Sequence, residues 1–368
     1  MNAPSNTRKT QYIAGLHALR IYAAVSVVVG HVHQFIPGWF LIDVNTGILR
    51  NFTLTGGSAV ILFYVLSGFL LTWILLSEKR RRDQIDVIGF YRRRMRRIAP
   101  AYYLVLAITA AVSIATAPDY AIVFGRQFNP IQFPASALFA TYIPLALNSV
   151  SGMVSHLWSL GVEIVFYALI PWLVLARRVP LALVLVIFVR MLILALTPYE
   201  SPIHQIVLYL KVDSLAIGAL FAWFWYYQRP LIERTLTTLP ARICLIVAVA
   251  VIIVVEMPSH NVVVDYAVTL VSGWLILNIS AGRFVIENRF VLWMGNLTYG
   301  IYLWHMMALF IVGASGMAGV RVYVAVFGIA LGLAFITYQL VERPMLGQRR
   351  PRALPAAAKV LPGGIEGA

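Results

Sequence analysis

Apolar windows of about twenty residues, separated by shorter polar segments, recur along the whole chain. A helix of that length matches the thickness of the hydrocarbon core of a bilayer. The pattern therefore predicts an all-α, polytopic membrane protein with about ten transmembrane helices. The predicted spans are 16–37, 57–77, 98–117, 156–176, 180–197, 204–226, 241–257, 262–281, 290–312 and 320–341.

The long segment between the third and fourth predicted spans, residues 118–155, has a different composition. Several prolines interrupt a partly apolar stretch at 135–148. A full span there would invert the orientation of every later helix, so we expect a re-entrant or surface-lying segment. Residues 347–368 are rich in Pro, Ala, Gly and Arg, which predicts a disordered cytoplasmic tail after an integral-membrane domain at residues 1–346.

Composition and charge agree with this interpretation. The chain is 61% hydrophobic and 12% charged, which excludes a water-soluble globular protein, and its single cysteine excludes an intrachain disulfide. With the N-terminus inside, 23 of the 29 Lys and Arg residues fall in cytoplasmic segments. The net charge of +15 therefore follows the positive-inside rule, and we expect both termini in the cytoplasm and no nucleic-acid partner.

The first predicted span carries an arginine near one end and a histidine near the other. Arg20 and His31 are eleven residues apart, so they project from one helix face about 16 Å from each other. A charged group in a membrane is costly unless it faces the bundle interior or a wet cavity. The pair indicates a polar conduit, or alternatively an arginine that snorkels to the interface and a histidine that is hydrogen-bonded in the bundle.

Further ionisable residues fall in the same layer of the predicted membrane. Counted from the middle of each span, they lie within about 2–8 Å of the midplane, on its outer side. The residues are Glu163, Arg190, Lys211, Asp213 and His305. We expect His31 to pair with Glu163 or Asp213, and Lys211 or Arg190 to pair with the remaining carboxylate. The alternative is an ion-pair network that only holds the helices in register.

A histidine beside a carboxylate is suited to acid–base chemistry. The pKa of histidine lies near working pH, and the carboxylate selects its tautomer. His31 could therefore deprotonate a hydroxyl for attack on an acyl carbonyl. Ser159 lies one helical turn before Glu163, but no Gly-x-Ser-x-Gly elbow surrounds it, so we expect it to position a substrate rather than act as nucleophile. The sequence contains no metal-ligand cluster.

Seven short motifs occur in order along the chain and together carry a family resemblance. They are Leu19-Arg20 with His31, Phe63 to Leu70, the basic element from Phe90 to Tyr103, His156 to Glu163, Asp213 with Gly218 and Ala219, Tyr299 to His305, and Glu342-Arg343-Pro344. With them the chain resembles the integral-membrane acyltransferase-3 family of bacterial glycan O-acyltransferases across about residues 12–346. The resemblance implies a multi-pass protein of the bacterial inner membrane.

The resemblance also implies a reaction. An acyl-coenzyme A, acetyl by default, would serve as co-substrate with no tightly bound cofactor. Its phosphates would meet a cluster of arginines: Arg92, Arg93, Arg94, Arg96 and Arg97. Its pantetheine arm would pass Arg20 toward His31, the general base, while Glu163 would orient His31 or bind the sugar. A hydroxyl of a surface or lipid-linked glycan would enter from the outer side. The expected substrate-binding residues are Trp158, Ser159, Lys211, Asp213, Tyr302 and His305.

Several alternatives stay open at this point. The arginines could only set topology, and the aromatic residues could only form an interfacial belt. His33 is a second histidine near His31 but points about 200° away along the helix, and the resemblance selects His31. The chain carries no appended hydrolase-like domain, so we expect a stand-alone enzyme. The rival functions are an acyltransferase for a small molecule such as a macrolide, and a membrane transporter or flippase.

Overall fold

The computed structural model describes residues 13–35, 56–116, 130, 132–148, 152–254, 261–317 and 319–346, and the regular secondary structure within these ranges is helical. A 3₁₀ turn, Gly152–Leu157, precedes the helix that begins at Trp158, and a π-helical turn, Tyr338–Glu342, follows the helix that ends at Thr337. The helices are α1 (Leu16–Phe35), α2 (Gly56–Arg82), α3 (Val87–Ala115), α4 (Gln132–Ala137), α5 (Tyr142–Ala146), α6 (Trp158–Leu175), α7 (Val179–Leu196), α8 (Pro202–Tyr209), α9 (Val212–Tyr227), α10 (Arg229–Thr235), α11 (Leu239–Val254), α12 (Val262–Ser280), α13 (Arg289–Ala314), α14 (Val320–Thr337) and α15 (Arg343–Met345).

The helices confirm the predicted polytopic architecture. Within the described ranges, nine helical segments are long and apolar enough to cross a membrane. A tenth is reached if α10 and α11, which meet at a bend of 78°, form one broken span. The predicted span 241–257 overlaps α11, which is described from residue 239 to residue 254 and belongs to this tenth span. The orientation of the termini stays a prediction.

The described part of the segment predicted not to span contains two short helices. α4 has six residues and α5 has five, and neither is long enough to cross a bilayer. The hydroxyl of Tyr102 on α3 donates to the backbone carbonyl of Ser136 at 2.6 Å, so this segment is held against the bundle. Most of residues 118–131 and the predicted tail 347–368 lie outside the described residues.

α2 is the central helix of the bundle and packs against α1, α6, α9 and α12. Its contact with α9 is close because two glycines face the opposing backbone. A Cβ atom at Gly68 would collide with the carbonyl oxygen of Leu215, and one at Gly218 would collide with that of Val65. Small residues at such crossings allow membrane helices to approach through van der Waals contact, which drives their association in lipid.

A buried charge network surrounds the break between α8 and α9. The guanidinium group of Arg190 on α7 donates to the backbone carbonyls of Val207, Leu208 and Leu210 at 3.0–3.3 Å. The N–H groups of Lys211 and Val212 bond to the carbonyls of Tyr209 and Leu210. The carbonyls of Val207 and Leu208 therefore lack their usual helical donor, which would be costly in a membrane. Arg190 also forms an ion pair with Asp213, at 2.7 Å. The network therefore stabilises a discontinuous transmembrane helix.

Candidate active site

A polar cavity opens into the bundle between α1, α2, α3, α6 and α13. Including its mouth, it contains about 900 Å³ of empty space. Ionisable or hydroxyl-bearing side chains from all five helices line it: Arg20, Tyr64, Ser67, Arg94, Arg97, Ser159, Glu163, Tyr167, Thr298, Tyr299 and Tyr302. Polar groups inside a membrane protein commonly mark a substrate pathway. We call this space the donor cavity, after the acyl donor that the sequence resemblance predicts.

Among the described residues, a single carboxylate, that of Glu163, lines the donor cavity, and two hydroxyl groups hold it. Ser67 on α2 donates to Oε1 of Glu163 at 2.8 Å, and Tyr167, one turn further along α6, donates to Oε2. Arg20 and Arg97 are close enough to attract this carboxylate electrostatically. Because Arg94 adds a third guanidinium group against a single carboxylate, the lining has an excess of positive charge.

Tyr302 on α13 closes the cavity at the Ser159 end. Its hydroxyl donates to the backbone carbonyl of His156 at 2.5 Å and lies 2.6 Å from Oγ of Ser159. Tyr64 on α2 donates to the backbone carbonyl of Ser159 at 3.3 Å. These bonds fix the start of α6 against α2 and α13, because they satisfy carbonyl and hydroxyl groups that are buried there.

Three histidine rings cluster one turn beyond Tyr302. The ring centroid of His305 lies 5.0 Å from that of His31 and 4.8 Å from that of His156. His305 is completely buried and His156 nearly so, whereas His31 is half-buried. Among the described residues, no group of His, Cys, Asp or Glu is arranged to hold a metal ion.

The hydrogen bonds of this cluster assign its tautomers. Nδ1 of His305 lies 2.6 Å from the backbone carbonyl of Tyr302, so this nitrogen carries the proton and Nε2 is an acceptor. Nδ1 of His31 lies 3.0 Å from the carbonyl of Val27 and 3.1 Å from Nε2 of His305, and both contacts require a proton on it. The remaining nitrogen of a neutral His31, Nε2, then bears a lone pair that can accept a proton.

The predicted carboxylate partner of His31 is wrong. Glu163 instead accepts hydrogen bonds from Ser67 and Tyr167, and Asp213 pairs with Arg190, while His31 bonds to His305. The sequence places these groups at a common depth, but depth does not say which helix faces which. The residues of the layer are therefore divided between a histidine cluster, a cavity wall and an ion-pair network.

Two predicted substrate-binding residues, Lys211 and Asp213, belong to the ion-pair network and do not line the donor cavity. Lys211 is 3% exposed and pairs with Asp265 at 2.6 Å. Asp213 also accepts a hydrogen bond from Tyr266 at 2.5 Å. A buried ion pair of this kind fits the alternative that holds helices in register. The sequence analysis missed Asp265, which lies in the first turn of α12.

The predicted phosphate-binding arginines divide into three groups. Arg97 and Arg94 line the donor cavity. Arg93 instead bridges Glu78 and Asp86, at 3.3 and 3.4 Å. Arg92 and Arg96 are exposed and do not line the cavity. Residues 94 and 97 are one turn apart, so the helical period could have grouped them.

Asp86 is the N-cap residue of α3 and lies beside this group of arginines. Its carboxyl accepts the backbone N–H of Gly89 at 2.8 Å, which caps the helix. That hydrogen bond, with Arg93 nearby, lowers the pKa of Asp86. Arg94 is different, because its Nε atom is buried and has no hydrogen-bond partner in the described part of the chain. An unpaired guanidinium nitrogen beside a cavity is suited to an anionic ligand.

The other predicted residues divide between those that line the cavity and those that do not. Arg20, Ser159 and Tyr302 line it, and His305 lies behind Tyr302. Trp158 is half-buried, with its ring edge-on to those of Tyr64 and Tyr209, and does not line the cavity. The missed residue Ser67 lies within the motif from Phe63 to Leu70. Tyr167 was also missed, and its i,i+4 spacing from Glu163 was a usable signal.

Comparison with known proteins identifies the family. Residues 13–339 match the family described as "Acyltransferase domain". O-acetyltransferase OatA of Staphylococcus aureus (strain NCTC 8325 / PS 47) is 24% identical over 91% of this chain and 57% of its own length. A putative O-acetyltransferase of S. aureus (strain COL) is 24% identical over 92% of this chain and 58% of its own length. No solved structure matches.

The chain thus spans somewhat more than half the length of the curated relatives it matches. The family match covers nearly all of the described helices, including every helix that lines the donor cavity. The predicted resemblance is confirmed, and this multi-pass membrane protein belongs to the acyltransferase domain family, whose enzymes are acyltransferases.

Proposed function

We propose that this protein is an O-acyltransferase of the bacterial inner membrane that transfers an acyl group, acetyl first of all, from cytoplasmic acyl-coenzyme A to a sugar hydroxyl of a surface or lipid-linked glycan. The observation that carries the proposal is the hydrogen-bond chain from the Tyr302 carbonyl through His305 to His31. It leaves Nε2 of His31 as a proton acceptor, as a general base requires. The relatives named O-acetyltransferases support acetyl transfer to a hydroxyl.

The donor cavity is suited to the phosphate-bearing part of coenzyme A. Arg94 and Arg97 would bind its phosphates, since guanidinium groups match phosphate oxygens in pairs. Arg20 lies on the path of the pantetheine arm, and hydroxyls of Ser67 and Tyr167 are already engaged by Glu163. Glu163 would then keep the arginines apart and oriented, which is a different role from orienting His31.

The thioester would lie at the Tyr302 end of the cavity, with His31 beyond it. The acceptor hydroxyl would approach half-buried His31 from the side that faces away from Tyr302. As the hydroxyl oxygen attacks the carbonyl carbon, its proton moves to Nε2 of His31. The new C–O bond forms, the C–S bond breaks, and the proton passes to the leaving sulfur to give free coenzyme A. The Val27 carbonyl and Nε2 of His305 stabilise the N–H of the transient imidazolium.

The test is transfer of radiolabelled acetyl groups from acetyl-coenzyme A into membrane glycans, in membranes that contain either the wild type or His31→Ala. We expect label in glycan with the wild type and a loss of about 10²-fold or more in the variant, the size that removal of a general base produces. His33→Ala is the matched control, because His33 lies on the other face of α1 and bonds to Tyr323.

Each contrary outcome removes a specific part of the proposal. Undiminished labelling with His31→Ala would overturn the base assignment. Label that appears in a small extractable molecule and not in glycan would favour the small-molecule acceptor. Sugar-lipid translocation without coenzyme A, and no acyl transfer from the wild type, would favour the transporter.

A further inference from the structure

A second cavity lies beside the donor cavity, and its lining is apolar. It contains about 460 Å³ of empty space, opening included, between α1, α13 and α14. Its lining consists of Ile21, Ala24, Val25, Met294, Thr298, Ile301, Phe327, Gly328 and Leu331. We call it the apolar cavity. Nothing in the reaction described above uses it.

One side chain belongs to the walls of both cavities. Thr298 on α13 lines the donor cavity and the apolar cavity, and it is 6% exposed. Its hydroxyl donates to the backbone carbonyl of Gly295 at 3.0 Å, within its own helix. The hydroxyl of Thr298 therefore needs no further hydrogen-bond partner. Its side chain, which has three heavy atoms, separates the polar donor cavity from the apolar cavity at this position.

The position of Thr298 relates this partition to the acyl group. Thr298 is one helical turn before Tyr302, so their Cα atoms are about 6 Å apart along α13. A longer acyl chain on a thioester held at the Tyr302 end would reach the apolar cavity by turning back along α13 past Thr298. Apolar space is a favourable environment for each methylene of such a chain.

We propose that Thr298 restricts the enzyme to short acyl groups, and that the apolar cavity would accept the hydrocarbon tail of a longer one if this side chain were smaller. The inference rests on the proposed acyl transfer and adds to it a preference for the length of the acyl group. The chemistry is unchanged: the carbonyl carbon exchanges its bond to sulfur for one to the acceptor oxygen, and the acceptor proton leaves on the thiol. Only the chain carried by that carbon differs.

The experiment compares hexanoyl-coenzyme A with acetyl-coenzyme A, using full-length protein in membranes. For Thr298→Ala we expect the hexanoyl-to-acetyl ratio of kcat/KM to rise at least about tenfold, because each newly buried methylene contributes about fourfold. A ratio between two donors does not depend on how much of the variant folds. An unchanged ratio would overturn the inference.

Two further variants locate the effect. Thr298→Val keeps the branched shape and loses only the hydroxyl, so its ratio should equal that of the wild type. Thr298→Ala combined with Gly328→Leu should lose the gain, because a side chain at Gly328 meets no atom within 4 Å at its Cβ and can grow into the apolar cavity. A gain that persists in the double variant would show that the tail lies elsewhere and would overturn the inference.

Donor binding separates this inference from the proposed function. The affinities of hexanoyl- and acetyl-coenzyme A are measured for the same variants by competition against a fluorescent coenzyme A. If none of the proteins, wild type included, transfers acyl groups, the proposed function fails while the binding ratio still decides the inference. A binding ratio that Thr298→Ala does not change would overturn the inference even when acetyl transfer proceeds.

Discussion

Nε2 of His305 lies 3.1 Å from Nδ1 of His31, so the partner of the proposed base is a second histidine and not a carboxylate. In a histidine–carboxylate pair, the negatively charged carboxylate accepts the hydrogen bond that the Nδ1–H group donates. Here a neutral ring nitrogen accepts it, and the Tyr302 carbonyl determines which nitrogen of His305 is available. The pair supplies orientation and tautomer without a buried anion.

His305 should accordingly act as a positioning residue. We expect His305→Ala to lower kcat by about 10- to 100-fold, less than removal of the base, with KM for the donor unchanged. His305→Gln keeps an acceptor oxygen for the Nδ1 proton of His31 and should restore part of the activity. Initial-rate kinetics with both variants test this. Equal losses in the two variants, together with lowered amounts of folded protein, would indicate a purely structural role.

Glu163→Gln distinguishes the two roles considered for this carboxylate. Because Glu163 bonds to Ser67 and Tyr167 and lies near Arg20 and Arg97, we expect the variant to change KM for the donor. The pH dependence of kcat should keep its shape, since His31 does not bond to Glu163. The measurement is kcat and KM across pH. A displaced kcat profile with normal KM would restore the predicted pairing of Glu163 with His31.

The arginines of α3 should differ in their effect on donor binding. Arg94→Ala and Arg97→Ala should each raise KM for acyl-coenzyme A by about 10- to 100-fold, the range expected when a charge-assisted hydrogen bond is lost. Arg92→Ala and Arg96→Ala are the matched controls, because both residues are exposed and away from the cavity. Equal effects of all four variants would mean that the arginines act through net charge alone.

Arg190 should contribute to stability and not to catalysis. Arg190→Leu leaves Asp213 without its cation and exposes the end of α8, so we expect a loss of about 3–5 kcal/mol in the free energy of unfolding. Denaturation in mixed detergent measures it. The protein that stays folded should keep wild-type kcat and KM. A stable variant with raised KM would instead assign the network to substrate binding.

The α2–α9 crossing provides a packing test. Gly68→Ala and Gly218→Ala each introduce a Cβ against an opposing backbone carbonyl, and we expect each to cost about 1–3 kcal/mol of stability. Gly328→Ala is the control, because a Cβ there meets no atom within 4 Å. Thermal unfolding of the three variants gives the comparison. Equal midpoints would mean that the two helices can separate at no cost.

The sequence predicted where the helices are better than it predicted which side chains pair between them. Hydropathy located the spans because a helix must have a minimum apolar length to cross the lipid. At the predicted span 241–257, α11 qualifies as a span together with α10, which it meets at a bend. The common depth of the charged residues stays a prediction, since it rests on counting residues along each helix.

The sequence could not assign partners within that layer. Whether Asp213 meets His31 or Arg190 depends on how helices rotate and which ones are adjacent, and neither is encoded by periodicity in one helix. The break after Tyr209 adds to this, because Arg190 pairs where α8 ends and α9 begins. Asp265 was missed for the same reason, as its partner Lys211 lies on another helix.

The hydrogen bond from His305 to the Tyr302 carbonyl has an evolutionary consequence. In most catalytic dyads the orienting group is a side chain, so one substitution can abolish it. A main-chain carbonyl is present whatever residue occupies position 302, provided that α13 keeps its helical form. Mutation at this position can therefore vary the hydroxyl that closes the cavity while the protonation pattern of the histidines is inherited unchanged. Donor preference could diversify among descendants of this chain without loss of the base.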